Sequence, residues 1–288
     1  MTFALIFAND FWHATLSWFP YLMDDQQFRQ LLSQFGFSWD GYRKVRRGVK
    51  KRIMRHMQQM NCRTLDAYIS ALSRDEEAKQ QFQRHMTVSI SRFFRDRRLW
   101  EILETEILPG LIQEDHNRVK VWSAGCACGD EVYSLRILWE IMGLRHDCLP
   151  ELELLATDIN PVYLNKAQNG VYPRSSLREV AQIIQDEYFR PIRKGLSYAV
   201  SERLKAGIIW RSHNLLFDFP ETKFHLVFLR NSLLTYYEDE LEIPAFQRVL
   251  DGITRSGFLI IGSHEKLPVG NWGIVPTGLH PHIYQKRL

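Results

Sequence analysis

One run of residues constrains this chain more than any other: Val119-Lys-Val-Trp-Ser-Ala-Gly-Cys-Ala-Cys-Gly-Asp-Glu-Val-Tyr-Ser134, in which a short apolar strand enters a loop of small residues and then an amphipathic helix. Gly125 and Gly129 accept positive φ, and nothing larger than cysteine stands between them, so a ligand can lie against the main-chain N–H groups of the loop. Further along, Glu151-Leu-Glu-Leu-Leu-Ala-Thr-Asp158 reads as a second strand ending in an acid, the placement that hydrogen-bonds ribose hydroxyls in nucleotide-binding βαβ units. The spacing Gly125-x-x-x-Gly129 is not the G-x-G-x-x-G of dinucleotide sites. It suits a smaller adenosyl cofactor with no pyrophosphate to cradle.

The rest of the second half alternates strand and helix. Residues 119–122 and 152–157 read as strands with a helix at 131–142 between them, followed by a helix over 161–168 stopped by Gly170. Apolar strands at 225–229 and 258–261 bracket a helix at 240–254. This order predicts a doubly wound parallel α/β sheet with its ligand crevice at the carboxyl ends of the strands. Between Tyr172 and Arg211 the pattern breaks, and 196–200 and 207–211 alternate as short antiparallel strands of a small β insertion.

Residues 24–95 carry helical periodicity. Phe28, Leu31, Leu32 and Phe35 form one apolar face before Gly36, and Tyr42, Val45, Val49, Ile53 and Met57 form the stripe of a longer helix over 39–60. Around that stripe Arg43, Lys44, Arg46, Arg47, Lys50, Lys51, Arg52 and Arg55 stand almost without acid. The net charge is only +4, so this local patch, with Lys50, Lys51 and Arg55 at its centre, is the candidate docking surface for an acidic helical partner or nucleic acid. No Pro or Gly lies between Asp66 and Pro109, which predicts a continuous helical linker into the larger domain.

The first 22 residues are apolar and aromatic, but Asn9, Asp10, His13 and Pro20 interrupt them, and without a basic start or an unbroken apolar run they read as neither a signal peptide nor a membrane span. Met23-Asp24-Asp25 reads as a helix start, so translation from Met23 is the alternative assignment of this extension. The domains are therefore an extension over 1–22, a helical domain with linker over 23–95 and a cofactor domain over 96–288 carrying a small β subdomain at about 173–211. Four cysteines give no disulfide framework or zinc spacing, so no metal is expected and the compartment reads as the reducing cytoplasm.

Taken in order, Ser91-Arg-Phe-Phe-Arg95-Asp, the glycine loop through Ser134, Ala156-Thr-Asp158, Asn214-Leu215, Leu229-Arg-Asn231 and Gly262-Ser-His-Glu265 resemble the CheR-type chemotaxis-receptor glutamate O-methyltransferases over nearly everything from Asp24 onward. The resemblance implies a class I methyltransferase fold with a small all-helical N-terminal domain and an inserted antiparallel β subdomain. It implies S-adenosyl-L-methionine as cofactor, and as partner the acidic helical cytoplasmic domain of a chemoreceptor, which the basic helix suits. Glu131 would hold the methionine amino group, Asp158 the ribose, and Asn214 and Leu215 the adenine. Arg230 and Asn231 would complete the crevice, and Arg95 would contact the cofactor and position the acceptor. Ser89 and Ser91 stand where relatives carry other hydrogen-bonding residues, Val132 replaces a proline and Ser263-His264 inverts the usual order.

Thr235 occupies the position of a tyrosine beside the transferring methyl, with Tyr236 next in line to replace it. A noncatalytic adenosyl-binding regulator of the same fold is the alternative function. Nucleic-acid methylation fits poorly, because Leu229-Arg-Asn-Ser232 lacks the Asn/Asp-Pro-Pro-aromatic loop that holds a base amine. Structural roles compete at each position: Asp158 as a helix cap, Glu131 as a first-turn acid offsetting the dipole, Arg230 as a partner of Glu238 or Asp239, Phe93 and Phe94 as packing, and Cys126 and Cys128 as merely small.

Overall fold

A computed structural model describes residues 23–114, 117–146 and 148–287, so the expected extension over 1–22 lies outside the described residues. The chain divides into two compact units. The smaller comprises described residues 23–35 together with Val45–Met86, and the larger comprises Gly36–Lys44 and Thr87–Leu288.

In the helical unit, Asp25–Gln34, Arg46–Gln59, Leu65–Arg74 and Glu76–Met86 bury Phe28, Leu31, Leu32, Val49, Ile53, Tyr68, Leu72 and Phe82. Asp24 starts the first helix with a capping box, accepting from Gln27 N while the Gln27 side chain accepts from Asp24 N. Asp25, on the same turn, takes Arg46 Nε at 3.0 Å and Lys50 Nζ at 2.8 Å. The basic face thus has an acid that its own sequence neighbourhood does not reveal. Lys50 is spent inside the unit, and Lys51 and Arg55 remain exposed.

The larger unit is built on strands β1 (Arg118–Ala124), β2 (Glu151–Asp158), β3 (Val171–Pro173), β4 (Phe189–Ile192), β5 (Ser197–Val200), β6 (Ile208–Ser212), β7 (Phe224–Leu229), β8 (Ile253–Ile261), β9 (Ile274–Pro276) and β10 (Ile283–Lys286). The main sheet runs β6-β2-β1-β7-β8-β10-β9, parallel from β6 through β8, with β10 and β9 antiparallel. The order reverses between β1 and β7, so the carboxyl ends of those two strands open the crevice of a doubly wound sheet. β1 and β7 are buried along nearly their whole length, which explains their continuous apolar runs. Among the described residues no helix is long and apolar enough to cross a membrane.

Three expectations change. The segment over 207–211 was assigned to the small β insertion, but it is β6, pairing parallel with β2 at the edge of the main sheet, while the insertion is the separate sheet β3-β5-β4. Alternation shows that a strand has one buried face and is silent about its partner. The linker is not a continuous helix: helix ends at Met86 and resumes at Arg97, with Phe94 and Asp96 in left-handed conformations between them. Absence of Pro and Gly permits a helix, yet tertiary bonds such as Phe94 N to Ser134 Oγ at 2.9 Å claim the backbone instead.

The single helix over 39–60 is two, Trp39–Tyr42 and Arg46–Gln59. Residues 36–44 pack as a strap on the turn after β7, where Ser38 N donates to Tyr236 O and Glu238 N to Gly36 O, each at 2.9 Å. Tyr42 lies against Tyr236 with ring centroids 4.9 Å apart, so it leaves the stripe that periodicity had placed it in.

A Cβ on Gly41 would sit 1.9 Å from Thr235 O, whereas one on Gly48 would meet only the Arg52 side chain at 3.9 Å. Chemical denaturation is expected to show Gly41→Ala destabilised by about 2 kcal/mol or more and Gly48→Ala stabilised by about 0.5–1 kcal/mol. Equal effects would mean that the strap does not pack on this turn.

Candidate functional site

The loop after β1 is fastened to the end of β2. Gly125 N and Cys126 N both donate to Thr157 O, at 2.9 and 2.8 Å, and Ala127 N donates to Asp158 Oδ2 at 2.9 Å. Gly125 and Gly129 have φ +84 and Ala127 has φ +48. The loop N–H groups were expected to face a ligand, but those of residues 125, 126, 127 and 129 are consumed within the protein, because an unpaired buried donor is costly. The glycines serve the packing of the loop as well: a Cβ on Gly129 would stand 2.9 Å from Ala167 Cβ, and one on Gly125 would stand 2.9 Å from Ser232 Cβ.

The cleft at the switch point is lined by Ser91, Arg95, Gly125, Glu131, Arg230 and Asn231, among others. These six were singled out from sequence, and the fold brings them together from three separate stretches of chain. Asp158 lies one step behind the loop, nearly buried, with Oδ1 accepting from Asn160 N at 2.8 Å. Burial raises its pKa, and the bonds from Asn160 and Ala127 oppose the rise. Asp158 does not cap the following helix; Asn160 does, accepting from Val162 N.

Leu215 flanks the loop, its Cδ1 3.9 Å from where a Gly125 Cβ would be. Asn214 holds its own turn, Oδ1 accepting from Leu216 N at 3.1 Å. Ser89 is turned to Cys128 Sγ at 3.3 Å. Burial pushes the thiols of Cys126 and Cys128 up, so neither is poised as a nucleophile and smallness accounts for both. Phe93 is fully buried against Tyr172 and Phe189 and is packing.

Arg230 pairs with neither Glu238 nor Asp239. Its Nη1 donates to Glu131 Oε2 at 3.0 Å and its Nη2 meets Asp96, while Glu131 Oε1 accepts from Ser123 Oγ at 2.9 Å. Thr235 Oγ1 donates to Glu265 Oε1 at 2.6 Å, and Glu265 Oε2 accepts from Asn231 N and Gly262 N. Burial raises the pKa of Glu265, with these bonds opposing. Sequence reasoning assigned no role to Asp96, Ser123 or Glu265. All three stood inside the motifs, but only their partners in the fold reveal what they do.

Tyr236 is half-buried, its pKa pushed up to about 12 by burial and by Glu265, with Arg95 opposing, so its hydroxyl stays protonated and able to donate. The donor set fits a cationic adenosyl cofactor. Glu131 and Asp158 are carboxylates with oxygen lone pairs beyond those their present partners use, and the small-residue loop between them leaves room for close approach.

A parallel sheet with a small-residue loop at its switch point, and acids after the first and second strands, define an S-adenosylmethionine-binding methyltransferase fold. The family model described as "CheR methyltransferase, SAM binding domain" matches residues 89–275. The chain is 32% identical over 220 residues to a chemotaxis protein methyltransferase of Listeria innocua, covering 76% of this chain and 81% of that protein. It is 29% identical over 231 residues to the putative methyltransferase Cher3 of Pseudomonas putida, covering 76% and 80%, and 27% identical over 227 residues to a probable chemotaxis protein methyltransferase of Rhizobium etli, covering 76% and 84%. The chain belongs to the CheR methyltransferase family, and its cofactor is S-adenosylmethionine.

Asp130, first residue of the helix after the loop, is 2% exposed, and its Oδ1 has no hydrogen-bond partner. Burial raises its pKa from 3.8 to about 6, with Glu131 adding to the rise and a bond from Ser176 opposing it. The folded acid holds its proton more tightly than the unfolded one, so stability falls as pH rises through about 4 to 6 and stays low above that window. Asp130→Asn is expected to stabilise the protein by about 1–3 kcal/mol at pH 7.5 and to make no difference near pH 4. Thermal unfolding at the two pH values checks this, and a variant less stable at pH 7.5 would contradict it.

Proposed function

We propose that this protein transfers the methyl group of S-adenosylmethionine to glutamate carboxylates on the acidic, helical cytoplasmic part of a chemoreceptor or related signalling protein. The observation that carries the proposal is the convergence of Arg95, Glu131, Arg230 and Asn231 on one cleft at the sheet's switch point, in a chain of this family. When bound, the cofactor supplies a methyl group activated on sulfonium. A glutamate side chain of pKa about 4.3 is already ionised at neutral pH, so the protein needs no general base and contributes mainly alignment, which can be worth on the order of 7–11 kcal/mol.

In this reading Glu131 and Asp158 hold the two ends of the cofactor. Arg95 offers its guanidinium to the acceptor carboxylate; its Nη1 donates to Ile90 O at 3.1 Å, which steadies the side chain at the cleft. Thr235 is occupied with Glu265, so the orienting hydroxyl falls to Tyr236, which Arg95 influences and Tyr42 packs against. Lys51 and Arg55 steer the acidic partner, while Lys50 serves Asp25.

Methyl transfer to a receptor cytoplasmic fragment, read as base-labile methyl ester, tests the proposal. Asp158→Ala is expected to abolish measurable cofactor binding in calorimetry. Tyr236→Phe is expected to lower kcat about tenfold with cofactor affinity unchanged, as for one lost hydrogen bond. Glutamate at Lys51 and Arg55 together is expected to slow transfer and flatten its salt dependence without changing cofactor affinity. Tight cofactor binding with no ester on any receptor fragment would replace the proposal with that of a noncatalytic adenosyl-binding regulator.

A further inference from the structure

Asp96 closes the Phe-Phe-Arg-Asp run in a conformation that L-residues rarely adopt, φ +68 and ψ +67, held in part by Leu99 N donating to its carbonyl at 2.8 Å. That backbone turn delivers the carboxylate to Arg230 Nη2, 134 residues away in sequence. Arg230 is nearly buried, with 5% of its side chain exposed, and its other arm reaches Glu131 Oε2 at 3.0 Å. Its Nε is buried without a partner. Ser123 Oγ donates to the second oxygen of Glu131. One side of the cleft therefore carries a continuous line Asp96, Arg230, Glu131, Ser123.

The charge count along this line decides what it can receive. Two carboxylates share one guanidinium, leaving one net negative charge beside a loop of small residues. Without Asp96, Arg230 and Glu131 would neutralise each other as a closed pair, and a cation placed against Glu131 would meet the full repulsion of the guanidinium in a poorly solvated site. Of the neighbouring cations, Arg92 pairs with Glu179 at 3.2 Å, and Arg95, whose Nη1 donates to the neutral Ile90 O, keeps its charge for the acceptor carboxylate in the reading above.

We propose that Asp96 is a positioning residue for cofactor capture: it occupies one arm of Arg230 and supplies the negative charge that leaves Glu131 able to receive the α-ammonium group of the cofactor. This rests on the reading above that Glu131 faces the methionine end. Asp96 acts through Arg230 and Glu131 and touches no reacting atom.

The test uses two ligands that share the adenosine and thioether. Decarboxylated S-adenosylhomocysteine keeps the ammonium group without a carboxylate that a freed Arg230 would attract, and methylthioadenosine carries no charge. Calorimetric titration of full-length Asp96→Asn is expected to show the amine ligand weakened by about tenfold or more and methylthioadenosine bound within about twofold of wild type. Asp96→Glu is expected to recover part of the loss, and unchanged thermal midpoints for both variants would exclude unfolding as its cause. Unchanged affinity for the amine in Asp96→Asn would overturn the proposal, as would an equal loss for both ligands, which would mean that Asp96 only shapes the loop. Should wild type bind neither these ligands nor S-adenosylhomocysteine, the assignment of the cleft itself would fall, an outcome distinct from failure of the Asp96 role.

Discussion

The seam between the loop after β1 and the end of β2 is the constraint on which the site depends. Thr157 O takes two consecutive loop N–H groups and Asp158 takes a third, so the loop cannot move without breaking bonds to a buried strand end. Such a bond is worth about 1 kcal/mol when made and costs more when a buried partner is left without it. Positive φ at residues 125, 127 and 129 is the conformational cost of that seam. In return Glu131 is held in the first turn of a helix at a fixed place after β1, and Asp158 is fixed by backbone donors before any ligand arrives.

Charge is arranged around this seam by alternation. Glu131 lies against Arg230, Arg230 against Asp96, and Glu265 beneath Asn231 and Thr235. Each of these charges has an opposite charge or a set of hydrogen-bond donors, as a low-dielectric cleft requires. The turn after β7 extends the network through Thr235. A threonine hydroxyl is short and bonds Glu265 directly, while the neighbouring Tyr236, backed by Tyr42 of the strap, keeps a hydroxyl whose proton affinity Arg95 lowers.

The helical unit shows the limit of reading charge from a linear pattern. Arg46 and Lys50 sit on a helix with almost no acid of its own, and the acid they use belongs to the first turn of a different helix. Of the three basic residues proposed for partner recognition, Lys51 and Arg55 keep exposed side chains, and Lys50 is drawn inward. The strap over residues 36–44 has the same lesson for periodicity, since Tyr42 fits a helical stripe in sequence and packs on Tyr236 in the fold.

Local chemistry was legible in the chain itself. The small-residue loop, the acid closing the second strand and the alternation of strand and helix rest on short-range rules of φ, burial and period, and they put Gly125, Glu131, Arg230 and Asn231 at strand ends, whereas Ser91 and Arg95 were named only through the family resemblance. What tertiary structure decided was every pairing between distant stretches: that β6 joins the main sheet, that the linker passes the crevice unwound, that Arg230 chooses Asp96 and Glu131 over its near neighbours, and that Thr235 turns to Glu265. Partner choice depends on which groups meet in space once the core has closed, and neither spacing nor periodicity contains that distance.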